Sequence, residues 1–129
     1  MTLTQVSVEP EAGKGKWKIQ WRIANLNSQP LEIRTVRLPH GRFKSPEQQF
    51  SPAIHLAPDE STEFQVSVSC NEPAGLVTEN GFLIFQVVRL DERWRIFARV
   101  RVTGNTSGTP VATTELITTQ QVGFSGVPD

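Results

Sequence analysis

Apolar and polar side chains alternate along two segments of the chain, as they do in β-strands that bury one face. In residues 16–24 the apolar positions are Trp17, Ile19, Trp21 and Ile23. In residues 63–70 they are Phe64, Val66, Val68 and Cys70. Successive side chains of a strand point to opposite faces, whereas a helix would distribute these residues around its axis. Both segments are therefore predicted to be half-buried strands.

The alternation changes phase within the next apolar segment. Leu31 and Ile33 share one phase, whereas Val36 and Leu38 share the other. A slip of one residue reverses which side chains face the core, so a straight strand would turn some of these residues outwards. A β-bulge or bend is therefore predicted between Ile33 and Val36.

Two later segments have the composition of loops. Residues 39–49 contain two prolines, one glycine and few apolar residues, which predicts a long surface connection. Residues 71–81 end in an Asn-Gly pair, which tolerates positive φ angles and often precedes a strand. A second loop is predicted there.

Two apolar stretches in residues 82–103 predict a β-hairpin. The outgoing strand covers residues 82–90, the turn 91–93 and the return strand 94–103. A turn centred on Glu92 places Leu90 opposite Trp94, on a face that packs into the core. The outer face then pairs Leu83 with Arg101, Phe85 with Arg99, Val87 with Phe97, and Arg89 with Arg95.

Several short strands separated by turns, with no segment that favours a helix, predict an all-β protein. The preferred architecture is an antiparallel immunoglobulin-like β-sandwich of about seven strands. A small β-barrel is the alternative, because strand number and alternation do not distinguish two facing sheets from one curled sheet. The predicted division is a sandwich domain at residues 1–104 and a Thr- and Gly-rich tail at 105–129, which can add a strand packed on the sandwich.

Several short motifs follow one another between residues 17 and 70. They are Ile23 to Asn27 before Pro30 to Ile33, Phe43 in the next loop, Leu56 to Pro58, and Phe64 to Val66. This arrangement resembles the immunoglobulin-like modules of the ASH and MSP type. The resemblance implies a protein-binding β-sandwich without catalytic residues. The hairpin at residues 82–103 and the tail depart from the pattern of those modules.

Few residues of the chain are suited to catalysis or metal binding. The 129 residues include one cysteine, Cys70, and two histidines, His40 and His55. Neither histidine accompanies a nucleophile motif, and the three residues lack the spacing of metal ligands. Acidic pairs at residues 59–60 and 91–92 lie in predicted turns, where neighbouring carboxylates diverge. We therefore expect no enzymatic activity, no metal and no cofactor.

The formal net charge of the chain is +0, from 13 basic and 13 acidic residues. This balance gives no reason to expect nucleic acid or an anionic membrane as a partner. The chain has no apolar run of the roughly 20 residues that span a membrane, and its first residues lack the regions of a signal peptide. A cytoplasmic location without membrane attachment is therefore expected.

A sandwich that binds a sugar or an anionic polymer is the alternative function. Residues 14–44 contain eight bases and one acid, and the chain has three tryptophans that are able to stack on sugars. However, Trp17 and Trp21 share the apolar side of their strand, which favours core packing. Residues 45–92 contain eight acids and one base, so the two segments either neutralise each other or form opposed poles.

The predicted outer face of the hairpin has the composition of a protein interface. It combines apolar residues with arginines, and an aromatic ring opposite an arginine allows a cation–π contact. We therefore predict a non-catalytic interaction or assembly module for a protein partner or for self-association. The candidate partner-binding residues are Leu83, Phe85, Val87, Phe97, Arg99 and Arg101. Alternatively, the tail covers this face with Leu116, Ile117, Val122 and Phe124.

Overall fold

The computed structural model describes residues 1–13, 15–39, 43–70, 77–106 and 108–122, with residues 77–80 described by their backbone alone. These residues form eight antiparallel strands. They are β1 (Thr2–Pro10), β2 (Lys16–Ala24), β3 (Leu31–Leu38), β4 (Phe43–Leu56), β5 (Ser61–Cys70), β6 (Val77–Arg89), β7 (Glu92–Gly104) and β8 (Pro110–Gln121). Among the described residues, no helix is long and apolar enough to cross a membrane.

The strands form one sheet with the order β1-β2-β5-β4-β3-β6-β7-β8, and this sheet curls until its first and last strands meet. The side-chain amide of Gln5 in β1 donates to the Pro110 carbonyl of β8 at 3.2 Å and accepts from the Ala112 amide at 2.6 Å. The Thr114 hydroxyl donates to the Leu3 carbonyl at 2.8 Å. The result is a nearly closed barrel.

The all-β antiparallel prediction is confirmed, and the small barrel is the alternative that fits the structure. An immunoglobulin-like sandwich of seven strands is not supported, because the described strands form a single curled sheet of eight. Part of the predicted tail forms β8, which pairs along β7. The predicted domain boundary at residue 104 stays a prediction.

The alternation predicted for the strands at residues 16–24 and 63–70 is confirmed in β2 and β5. Directly opposite residues share a face, and the ladder pairs Ile19 with Val66 and Trp21 with Phe64. These residues are buried, as is Cys70 at the end of β5. Apolar side chains from all eight strands fill the barrel in the same way.

The predicted irregularity in β3 is also confirmed. The register of β3 shifts between Ile33 and Thr35 against both of its neighbours, β4 and β6. The extra residue returns Val36 to the same side as Ile33, and both side chains are completely buried.

The predicted surface connection at residues 39–49 is wrong from Phe43 onwards, because β4 begins there and Phe43 pairs with Cys70 of β5. Pro46 and Pro52 do not prevent a strand, since neither occupies a paired position in the ladders of β4. Proline lacks an amide hydrogen and is tolerated at such irregular positions. The proline content of this segment therefore suggests a loop where an irregular strand exists.

Two further strand segments are not predicted by the pattern. Within β1 only Leu3 is buried, so the alternation of this strand is weak. β6 begins at Val77, within the predicted 71–81 loop, and the hairpin is longer than expected. The rest of that loop, at residues 71–76, lies outside the described residues.

A buried asparagine joins two connections at one end of the barrel. Asn25 follows β2 and is completely buried. Its side-chain nitrogen donates to the carbonyls of Gln29, Leu56 and Ala57 at 2.9, 3.1 and 3.4 Å, and its side-chain oxygen accepts from the Asn27 amide at 3.1 Å. Because buried polar groups require partners, this side chain ties the β2–β3 connection to the end of β4.

Replacing Gln5 by leucine is expected to lower the free energy of unfolding by about 1–3 kcal/mol. The change leaves the Ala112 amide and the Pro110 carbonyl without their side-chain partner. Urea unfolding measures the loss. Gln49→Leu is the matched control, because Gln49 is an exposed glutamine of β4. Wild-type stability in Gln5→Leu would contradict the role of Gln5 in closing the barrel.

Candidate functional site

The β6–β7 hairpin turns on two residues, Leu90 and Asp91, whose φ angles are 51° and 60°. Positive φ angles at both central residues are typical of a type I′ turn, which matches the twist of hairpin strands. This turn places Val87 opposite Trp94. The predicted register, with a turn centred on Glu92 and Leu90 opposite Trp94, is therefore wrong.

The corrected register reverses the two faces of β6. Leu83 and Phe85 are completely buried, Val87 is 2% exposed, and all three belong to the core of the barrel. The return strand β7 has its predicted phase, with its arginines outside and its small apolar residues inside. The structure therefore separates the candidate residues. Leu83, Phe85 and Val87 face inwards, whereas Phe97, Arg99 and Arg101 face outwards.

The outside of these strands is still apolar and rich in arginine, because β6 carries apolar residues in both phases. Phe82, Ile84 and Val88 occupy the outward positions instead of the three predicted residues. We call this surface the outer face. It consists of Glu32 and Arg37 of β3, Phe82, Ile84, Gln86 and Val88 of β6, Arg93, Arg95, Phe97, Arg99 and Arg101 of β7, and Leu116 and Thr118 of β8.

Two neighbouring rows of the outer face place arginine directly beside apolar side chains. Side chains directly opposite one another in a ladder lie about 5 Å apart. This spacing allows the arginine stems to pack on their apolar neighbours. The rows are Arg37, Ile84 and Phe97, followed by Phe82, Arg99 and Leu116.

Several arginines of the outer face are not neutralised. Arg99 and Arg101 form no ion pair with the described part of the chain. The Nε atoms of Arg37 and Arg99 are buried, and neither has a hydrogen-bond partner among the described residues. By contrast, Arg22 of β2 binds the Glu63 carboxylate of β5 at 2.7 Å, and this hydrogen bond lowers the pKa of Glu63 below its ordinary value. Internal neutralisation therefore occurs between β2 and β5 but not at Arg99 and Arg101.

The described part of the tail extends the outer face and does not cover it. β8 pairs along the edge of β7. Within β8, Ile117 packs against the core, whereas its neighbour Leu116 joins the outer face and is 48% exposed. Val122 donates its amide to the Arg93 carbonyl at 2.9 Å and so continues the pairing along β7. Phe124 lies outside the described residues.

The three tryptophans lie on the inner sides of their strands. Trp21 is completely buried, and Trp17 and Trp94 pack against the core. A sugar-binding platform needs aromatic rings that are open to solvent on one surface. The tryptophans of this protein do not form such a platform on the outside of the barrel.

The other chemical candidates among the described residues lie on different strands. His55 is exposed on β4 and lies 3.5 Å from the Glu32 carboxylate, whereas Cys70 is buried at the end of β5. In the ranges that the structure describes, no group of three His, Cys, Asp or Glu residues could hold a metal ion. His40 lies outside those ranges.

Fold and surface together define a small all-β protein, built as a nearly closed eight-stranded barrel with one apolar, arginine-rich face. Comparison of the chain with protein-family models, with curated proteins and with solved structures finds no match. The similarity to ASH and MSP modules therefore stays an observation on short motifs.

Proposed function

We propose that this protein is a non-catalytic protein–protein interaction module that docks a partner through the outer face. The proposal is carried by the two mixed rows, in which Arg37 lies beside Ile84, and Arg99 lies between Phe82 and Leu116. Aromatic residues and arginine are enriched in protein interfaces and in their energetically dominant positions. Phe97, Arg99 and Arg101 keep their proposed partner-binding role, and the cytoplasm stays the proposed location.

The charge of the outer face favours a particular partner. Its five arginines would face one another in a symmetric dimer built on this surface, because such an interface pairs each patch with itself. Like charges brought together in this way are unfavourable. Arginine instead forms paired hydrogen bonds with carboxylates. The proposed partner therefore presents acidic residues around an aromatic or branched apolar side chain.

Selection from a displayed peptide library tests this proposal. The immobilised protein is expected to enrich peptides in which Asp or Glu flanks an aromatic or branched apolar residue. Phe97→Asp and Arg99→Glu are each expected to weaken the enriched peptides about tenfold or more, because each removes a central contact. Lys18→Glu is the matched control, since it reverses a charge on β2, away from the outer face. This variant is expected to keep the affinity within about twofold.

Three outcomes would contradict the proposal. The first is enrichment of peptides without acidic residues. The second is an equal loss of binding in Lys18→Glu and Arg99→Glu, which would mean that only total charge matters. The third is heparin binding that exceeds peptide binding and falls steeply with salt, which would favour the anionic-polymer function. Circular dichroism confirms beforehand that each variant is folded.

A further inference from the structure

The barrel contains a cavity at the end where the β6–β7 turn and the β2–β3 connection lie. Its volume is about 180 Å³. Leu31, Val87, Ile96 and Ile117 line its apolar part, and Asn27 and Thr119 add polar groups. An apolar cavity of roughly 150 Å³ accommodates a benzene-sized molecule, and the volume of this cavity is similar. The cavity therefore has room for one small apolar group.

A cationic side chain lies at the edge of this cavity. Arg89 is on the inner side of β6, two residues after Val87, and lines the cavity together with Trp94. Its guanidinium carbon lies 4.4 Å from the centroid of the Trp94 ring. Both side chains are half-buried, so the cationic end of the cavity lies at the surface.

The described residues do not neutralise Arg89. Glu92 lies opposite Arg89 in the ladder, but its carboxylate accepts a hydrogen bond from the Gln121 side chain, and the two residues form no ion pair. No acidic residue is among the described residues that line the cavity. Trp94 adds a second unused donor, since its indole Nε1 is buried without a partner in the described part of the chain.

We propose that this cavity binds a small carboxylic acid in its ionised form, with a benzene-sized apolar body inside the barrel and the carboxylate at Arg89. Leu31, Val87, Ile96 and Ile117 shield the body of the ligand from water. Stacking on Trp94 holds the planar guanidinium in place before the ligand arrives, which reduces the entropy lost on binding. The site is independent of the outer face, because Arg89, Val87 and Ile96 are on the inner side of the hairpin.

Benzoate and benzyl alcohol are suitable probes because they share the same ring and differ in charge. Titration of ¹⁵N-labelled protein at neutral pH and low salt is followed by the amide spectrum and by the indole N–H resonance of Trp94, assigned with Trp94→Phe. Benzoate is expected to shift this resonance and the amides of Val87 and Ile96 in a saturable way. Benzyl alcohol is expected to bind at the same place about tenfold more weakly, because it lacks the charge.

Three variants test separately how the charge of Arg89 and the apolar part of the wall contribute to binding. Arg89→Gln is expected to weaken benzoate about tenfold and to leave benzyl alcohol within about twofold. Arg93→Gln is the matched control, since Arg93 is an exposed arginine of the same hairpin on the outer face, and it is expected to change neither affinity. Ile117→Phe fills the cavity and is expected to abolish binding of both probes.

Absence of saturable shifts would overturn the proposal, and so would equal affinities for the two probes. An equal loss of benzoate binding in Arg89→Gln and Arg93→Gln would also overturn the proposal. Resonance shifts confined to the outer face would do the same, because both results indicate general anion binding to arginines. If the amide spectrum shows that Arg89→Gln is unfolded, the benzoate preference of the wild type and the loss in Ile117→Phe decide the question.

Discussion

Replacing Phe85 by alanine is expected to lower the free energy of unfolding by about 3–5 kcal/mol, whereas Phe97→Ala is expected to lose only about 1 kcal/mol. The Phe85 ring is completely buried and packs edge-on against Phe64, with the ring centroids 5.9 Å apart. Alanine would leave a cavity in the centre of the barrel. Phe97 is half-buried on the outer face, where water fills the space that the ring leaves.

Urea unfolding, followed by tryptophan fluorescence, measures both losses. The two variants are matched because each truncates a phenylalanine of the same hairpin. The register that the pattern predicts would place both rings on one face and give similar losses, so equal values would contradict the observed register. For the same reason Phe85→Asp is expected to unfold the protein, and only Phe97→Asp is suited to test docking.

Replacing Asn25 by aspartate is expected to destabilise the protein by about 3–5 kcal/mol at pH 7. The change is isosteric, but it removes the amide donor and directs a carboxylate at the carbonyls of Gln29 and Leu56 inside the protein. Burial and the surrounding carbonyl oxygens raise the pKa of the introduced carboxyl in the folded state. Protonation therefore favours folding, and the deficit is expected to shrink as the pH falls from 7 to 4.

Thermal unfolding of the wild type and of Asn25→Asp at several pH values measures this dependence. Asn27→Asp is the matched control, since Asn27 lies in the same connection but is exposed. Its stability is expected to stay within about 0.5 kcal/mol of the wild type. A loss in Asn25→Asp that is constant between pH 4 and pH 7 would show that the carboxylate is solvated, which contradicts the burial of Asn25.

The strands could be predicted where only one phase of the sequence is apolar. In β2 and β7, charged or polar residues alternate with apolar ones, and the phase is confirmed in both strands. β6 is apolar in both phases, so either register buries a good core. The choice depends on the turn, where Leu90 adopts a positive φ angle that a leucine rarely takes. The sequence therefore does not indicate a two-residue turn at this position.

The sequence predicts the kinds of residue in the candidate site better than it predicts which particular residues form it. Phe97, Arg99 and Arg101 lie outside as predicted, since their strand has a clear polar phase. Phe82, Ile84 and Val88 were not predicted to lie outside, because their orientation depends on the register of β6. Leu116 was not predicted to join this face, because it does so only when β8 pairs at the edge of β7. The closure of the barrel is equally absent from the pattern, because it depends on bonds between residues more than a hundred positions apart.

Two glutamines bridge the places where the barrel wall lacks a continuous backbone ladder. Gln5 links β1 to β8, and Gln48 donates to the Gln65 carbonyl at 3.1 Å, where β4 has separated from β5. Within the single sheet, continuous backbone ladders join β1, β2 and β5 on one side and β4, β3, β6, β7 and β8 on the other. Side-chain hydrogen bonds contribute at both borders between these two groups of strands. We expect local opening to be most frequent along these borders, so that amide hydrogens exchange faster in β1 and in the middle of β4 than in β2, β6 and β7.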